Sequence, residues 1–396
     1  MNLNLKNKSE SLVQKMLSRA GITINGSNPW DVQVYSPDIY NRILAQGNMG
    51  LGESYMEGLW DCERLDLFFE KILRADLDQG IKSLTLALYH LKARFLNLQT
   101  KKRAWQVGKK HYDLNNDFYG AMLGKSMAYS CAYWHNAKDL DQAQEEKYDL
   151  ICRKLQLQPG MSLLDIGCGW GGLMNYAREH YNIKGIGLTI SKEQYKWATE
   201  HYSHPDLEFR LQDYRDLLND NDDIVSQGDR KVALRDRTLP LYDRIVSVGM
   251  FEHVGAKNYR TYMKVVEKCL KDDGLFLLHT IGKNSRYATT DPWINHYIFP
   301  NGDLPSLNQI ADATSELLLI EDFHSLGAYY DRTLMAWHKN FEQSWHKFQD
   351  QLGEVFYRMW RYYLLSCAGS FRARNVQLWQ LVFSKNGVSG IYPRYS

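Results

Sequence analysis

The stretch Leu163-Leu164-Asp165-Ile166-Gly167-Cys168-Gly169-Trp170-Gly171-Gly172 carries the clearest chemical signal in the chain. An apolar run ending in Gly-x-Gly lets a ligand meet the backbone directly, because no Cβ intervenes. The spacing Gly167-x-Gly169-x-Gly171-Gly172, with Cys168 inside it, departs from the Gly-x-Gly-x-x-Gly of dinucleotide sites. Asp165 lies two residues before the first glycine, where it repels a phosphate and suits a cationic amine or sulfonium. That combination points to S-adenosylmethionine (SAM).

Ligands of open α/β sheets sit outside the carboxyl ends of the strands, so the residues just after each strand are the informative ones. After the second strand, Thr189, Ser191 and Gln194 offer hydroxyls and an amide for ribose or the methionine end. Thr189 stands where many SAM enzymes carry an acid. After the third come Gln212, Asp213 and Tyr214: a carboxylate to accept from an adenine amino group, and a ring for the base to lie against. After the fourth and fifth, Glu252, His253 and His279 make a set suited to proton transfer. No His/Cys/Asp set has metal-ligand spacing, and no Gly-x-Ser-x-Gly elbow of a hydrolase occurs.

The elements that position these residues alternate strand and helix, the pattern of a parallel sheet covered on both faces. Strands are expected near 161–166, 184–188, 207–211, 243–248, 274–281, 316–321 and 377–384. The acidic-then-basic run 219–239 is expected to be a solvated loop. Ahead of the sheet, residues 1–70 read as compact and helical, with helices at Ser9 to Ala20 and Asp38 to Gln46. Gly47 to Gly52 is expected to be a flexible turn, and Glu145 to Leu155 a helix entering the first strand. Apolar residues at 81, 84, 88, 91, 95 and 98 form one helical stripe.

Residues 71–110 carry ten Lys/Arg against Asp76 and Asp78, on a chain whose net charge is only +2. Such a patch suits an anionic surface, and the stripe beside it reads either as a face packed on its own domain or as an interfacial face for lipid headgroups. No apolar run approaches the roughly 20 residues that span a bilayer, so membrane contact is expected to be peripheral. The polar start Met1-Asn2-Leu3-Asn4 carries no secretory leader pattern, and the six scattered cysteines read as reduced cytosolic thiols.

Longer motifs add to this: Leu51-Gly52-Glu53-Ser54-Tyr55-Met56, His111-Tyr112-Asp113-Leu114, Tyr129-Ser130-Cys131-Ala132-Tyr133-Trp134, Gln212-Asp213-Tyr214-Arg215-Asp216, and Val248-Gly249-Met250-Phe251-Glu252-His253-Val254. Further on stand Leu278-His279-Thr280-Ile281-Gly282, Pro292-Trp293-Ile294-Asn295, Ala368-Gly369-Ser370-Phe371-Arg372 and Leu378-Trp379-Gln380. From about Leu17 to Phe383 the chain resembles the bacterial cyclopropane-fatty-acyl-phospholipid synthases of the SAM-dependent mycolic acid/cyclopropane fatty acid synthase family. The loop at 219–239 is longer than that resemblance leads one to expect.

The resemblance implies a seven-stranded, Rossmann-like SAM-dependent methyltransferase sheet (104–396) behind a small, mostly helical N-terminal domain for lipid and membrane interaction (1–103). It implies methyl transfer from SAM to the cis double bond of an unsaturated phospholipid acyl chain, then deprotonation by a bound bicarbonate and ring closure. Residues matching the bicarbonate site are Cys131, Glu252, His279, Ile281 and Tyr330; Tyr129 and Ser130 match those that reach the SAM carboxylate. Cys367 also lies in a family motif, but the chemistry needs no covalent enzyme intermediate, so a structural part is expected of it first. A homodimer at the inner face of the cytoplasmic membrane, without nucleic-acid partners, completes the expectation. The rivals are a simple C- or N-methyltransferase without a base and a lipid-binding protein with a vestigial fold.

Overall fold

The computed structural model describes residues 2–77, 116–218, 224–227, 230–233, 241–285 and 290–395. The expected helical stripe from Ile81 to Leu98, most of the basic patch, the 103/104 boundary and the motif at His111 lie outside the described residues.

Seven strands form one sheet: β1 (Ser162–Ile166), β2 (Lys184–Thr189), β3 (Leu207–Leu211), β4 (Tyr242–Val248), β5 (Leu270–Lys283), β6 (Leu319–Ser325) and β7 (Val376–Ser384). Their order is β6-β7-β5-β4-β1-β2-β3. The first five run parallel, and β7 inserts antiparallel between β5 and β6. β1 therefore has β2 on one side and β4 on the other, and the chain leaving β1 and β4 opens a crevice between them. Apolar clusters fill both faces of the sheet, which is why Leu163, Leu164 and Ile166 in β1 are all buried.

All seven expected strands are present. The main shift is β6, which begins at Leu319 instead of 316. The amides of Leu317 and Leu318 still bond back to Thr314, and Glu316 takes a left-handed φ of 61°, so the chain is turning there. Within the run 219–239, Ile224–Gln227 and Arg230–Ala233 pair as an antiparallel hairpin, which the expectation of a plain loop did not include.

The helices on the N-terminal side are α1 (Asn2–Arg19), α2 (Asp38–Gln46), α3 (Asn48–Met56) and α4 (Leu65–Arg74). A short antiparallel pair, Gln33–Val34 with Trp60–Asp61, closes the intervening loops. The expected flexible turn at Gly47 to Gly52 is incorrect: only Gly47 breaks the chain, and α3 starts at the next residue. A Cβ at Gly50 would strike the carbonyl of Arg42, and one at Gly52 the ring of Trp293. Those glycines permit close packing of a helix; they do not loosen it.

Between α4 and the sheet's far end the chain forms α5 (Asn116–Leu123), α6 (Leu140–Lys154), α7 (Gly172–Tyr181), α8 (Lys192–His201) and α9 (Tyr259–Cys269). There follow α10 (Pro292–Tyr297), α11 (Leu307–Thr314), α12 (Gly327–Ser344) and α13 (Gln349–Arg372), the last broken at Gly353. The N-terminal helices share one core with these: Val13, Tyr55, Trp60 and Phe68 cluster with Phe118, Trp337 and Trp360. Arg372 on α13 bonds Asp66 of α4 and Asp331 of α12. Burial alone would raise the Asp66 carboxyl, but hydrogen bonds from Arg64 and Arg372 outweigh it and hold it at about 2.

Candidate active site

The crevice at the ends of β1, β2, β4 and β5 opens into a cavity of about 580 Å³. The glycine turn forms its floor. Gly167, Cys168, Gly169 and Gly172 line it, and Gly171 does not. Gly169 has a φ of 56° and open space where a Cβ would stand, so its bare backbone faces the cavity. At Gly171 a Cβ would press on Phe209 at 2.8 Å, which makes that glycine a packing residue between α7 and β3. The amides of Gly167 and Cys168 are both taken by the Leu188 carbonyl of β2.

The other expected cofactor residues, Tyr129, Ser130, Asp165, Thr189, Gln194, Gln212, Asp213 and Tyr214, all line the same cavity. Thr189 donates to Gln194 Oε1 at 2.9 Å and accepts from the Ser191 amide, which locks the turn after β2. Asp213 Oδ1 accepts from both the backbone and Nε of Arg215, and Oδ2 accepts from Nη2 at 2.6 Å. Since each carboxylate oxygen accepts about two hydrogen bonds, Oδ2 keeps capacity for one more donor.

Asp165 closes β1 with Oδ1 buried and without a partner among the described residues. Beneath the Tyr129-Ser130 stretch lies Lys147 of α6, 1% exposed, whose Nζ donates to Ser130 Oγ at 2.9 Å. Burial lowers the Lys147 ammonium and raises the Asp165 carboxyl, while the attraction between the two charges draws each back toward its ionised form.

The proton-transfer set divides into two layers. Glu252, His253, Ile281 and Tyr330 line the cavity. Glu252 sits on the short turn Phe251–His253 after β4, and its Oε1 accepts the Ile281 backbone N–H at 2.6 Å. The Ile281 amide is thereby occupied. Burial pushes Glu252 up to about 7, against the pull of the Ile281 hydrogen bond, and its Oε2 is buried without a described partner. Burial likewise lowers His253 and raises Tyr330.

Cys131 and His279 stand behind the wall and do not line the cavity. Cys131 Sγ donates to the Ala132 carbonyl, and burial pushes its thiol up to about 12. His279 Nδ1 lies 3.2 Å from Gln380 Nε2, its Nε2 has no partner among the described residues, and burial holds it well below the usual range. Cys367 of α13 does line the cavity, its thiol pushed up to about 12 by burial.

Several contributors were given no role from the sequence. Lys147 occupies an apolar helical stripe with Leu140, Ala143, Leu150 and Ile151, and a lysine in such a stripe was the available signal. Gln380 stood in the Leu378-Trp379-Gln380 motif without a role, because its meeting with His279 depends on β7 pairing beside β5. Phe69 and Leu73 of α4 also line the cavity, together with Ile294, Phe299 and Phe371. They give one arm of it an apolar wall.

The chain matches the family described as mycolic acid cyclopropane synthetase over residues 99–236 and 231–381. It is 51% identical over 387 residues to the cyclopropane-fatty-acyl-phospholipid synthase of Escherichia coli K12, covering 96% of this chain and 94% of that one. A probable fatty acid methyltransferase of Pseudomonas putida is 36% identical over 71% of this chain and 69% of its own. Among solved structures, the cyclopropane synthase MmaA2 from Mycobacterium tuberculosis superposes with a TM-score of 0.62 at 30% identity, covering 71% of this chain and 98% of that one. The mycolic acid cyclopropane synthase CmaA1, complexed with SAH and CTAB, gives 0.60 at 31% identity, with the same coverage of both chains. With the fold of a SAM-dependent methyltransferase built around the cavity, and similarity of this extent, the chain belongs to the mycolic acid cyclopropane synthetase family.

Proposed function

We propose that this chain is a cyclopropane-fatty-acyl-phospholipid synthase, which adds the SAM methyl carbon across the cis double bond of a phospholipid acyl chain. The observation that carries the reading is one cavity that joins the glycine turn to an apolar arm, with Glu252 buried in its wall. The name of the 51% identical relative supports the same activity.

SAM, when bound, supplies an electrophilic methyl group on a sulfonium. Gly169 lets the ligand settle on the backbone, Asp165 suits its cationic end, and Asp213 Oδ2 can take an adenine amino group. Phe69, Leu73, Ile294 and Phe371 exclude water from the acyl chain and align its double bond. The alkene's π electrons form the new carbon–carbon bond as the carbon–sulfur bond breaks, leaving positive charge on the chain. The faces of Tyr129, Phe299 and Tyr330 stabilise that charge. Loss of a proton from the new methyl then frees the electron pair that closes the ring.

A bound bicarbonate would supply the base for that last proton; of the residues the resemblance implies for it, Glu252, Ile281 and Tyr330 line the cavity and would hold it, with Cys131 and His279 in the layer behind them. The buried, partnerless Oε2 of the cavity-lining Glu252 suits a small group that can donate a hydrogen bond to it. Glu252 anchors the Ile281 strand end, and Tyr330 presents a hydroxyl that burial keeps protonated.

The acyl chain would be reached by peripheral contact at the cytoplasmic membrane face; no helix among the described residues is long and apolar enough to cross a bilayer. The basic run at 71–110 suits anionic headgroups.

Incubation of the protein with SAM and vesicles of cis-unsaturated phospholipid, followed by mass spectrometry, tests the reading. The expected result is a gain of one CH2 per acyl chain that resists hydrogenation. An acyclic methylated product would favour a plain methyltransferase, and vesicle binding without SAM consumption a lipid-binding protein.

A further inference from the structure

Helix α6 supports the Ala128-Tyr129-Ser130 stretch from below with two buried side chains one turn apart. Gln144 Nε2 donates to the carbonyls of Ala128, at 3.3 Å, and Ser130, at 3.0 Å. Lys147 Nζ donates to Ser130 Oγ at 2.9 Å. Placing an ammonium at this depth costs desolvation that a methionine or leucine would avoid, so packing alone does not explain it.

The geometry gives the lysine a task. An ammonium donating to Ser130 Oγ occupies one of its lone pairs and leaves the hydroxyl proton to be given elsewhere, and Ser130 lines the cavity. Asp165, at the end of β1, lines the same cavity with an unpaired carboxylate oxygen. A buried cation and a buried anion thus stand on one wall. The methionine end of SAM is itself a zwitterion, with a carboxylate and an ammonium on one carbon.

We propose that Lys147 is a positioning residue for that zwitterion: it aims the Ser130 hydroxyl at the ligand carboxylate and supplies its counter-charge, while Asp165 takes the ligand ammonium. The inference rests on the cavity being the SAM site. Burial lowers Lys147, and an anionic ligand beside it would draw it back toward the charged form.

Calorimetric titration of the full chain with S-adenosylhomocysteine and with 5′-methylthioadenosine, which lacks the amino-acid end, tests it. Lys147→Met keeps the stem and removes the charge. Its affinity for S-adenosylhomocysteine should fall at least about tenfold, the range of a lost charged hydrogen bond, with that for 5′-methylthioadenosine unchanged. Ser130→Ala should show the same split, and the double variant should lose little more than Lys147→Met alone. Equal loss for both ligands, or no loss for S-adenosylhomocysteine in the soluble variants, would overturn the proposal. If Lys147→Met does not fold, unchanged S-adenosylhomocysteine affinity in Ser130→Ala overturns it. Wild-type protein binding neither ligand would overturn the SAM reading beneath it, an outcome distinguishable from the others.

Discussion

Glu252 Oε1 accepts the Ile281 backbone N–H at 2.6 Å, tying the turn after β4 to the end of β5. A carboxyl that braces two strand ends, with its second oxygen buried and unpaired, has a cost and a use.

The cost appears as a pH dependence. Burial raises Glu252 from 4.5 to about 7, so the folded protein binds this proton more tightly than the unfolded chain. Stability therefore falls as pH rises from 4.5 toward 7. Glu252→Gln keeps an acceptor for Ile281 and removes the charge. It should be more stable than wild type at pH 8, by about 3 kcal/mol, and converge with it near pH 4. Turnover should fall about 10²–10⁴-fold, as for a lost acid–base group. Identical melting curves at pH 8 would remove the buried charge from the account.

Gly169 is the position where a side chain would enter the cavity without touching protein. Gly169→Ala carries a left-handed backbone penalty of about 1–2 kcal/mol. The greater loss should be in S-adenosylhomocysteine affinity, read by calorimetry. Stability and affinity falling by the same factor would count against direct contact at this glycine.

Cys367 faces the cavity as a neutral thiol, its pKa held at about 12 by burial. A nucleophile needs the thiolate. Cys367→Ala should keep turnover within about an order of magnitude, where losing a true nucleophile costs far more. Loss of all turnover in a folded Cys367→Ala protein would reinstate a chemical part for it.

Gly52 pits helix propensity against packing. Alanine in α3 gains up to about 1 kcal/mol from propensity. Forcing a methyl into the Trp293 ring costs about 1–3 kcal/mol. Packing should win, so urea denaturation of Gly52→Ala is expected to show a lower midpoint, and a higher one would mean that Trp293 moves aside freely.

The positions of the seven strands along the chain, the glycine turn and the polar residues after each strand were legible in the sequence, whereas the strand order in the sheet and the antiparallel insertion of β7, where a parallel sheet was expected, were not. Each legible feature is a local property: a run of apolar residues long enough for one strand, then residues that cannot continue it. The motif at Glu252-His253 and the His279 strand end were legible for the same reason. Local pattern misled where glycines serve a neighbour. Gly50 and Gly52 read as a turn, yet they sit in α3 because Arg42 and Trp293 need the room.

The tertiary structure alone decided which expected residues face the cavity. Gly171, Cys131 and His279 were grouped with the others by motif, but strand pleat and helix packing turn them into the layer behind. It also decided the long-range pairs: Lys147 with Ser130, Gln380 with His279, and Arg372 with Asp66 across 306 positions of chain. No spacing rule encodes such contacts, because each exists only after the desolvation of a shared core has brought distant elements together.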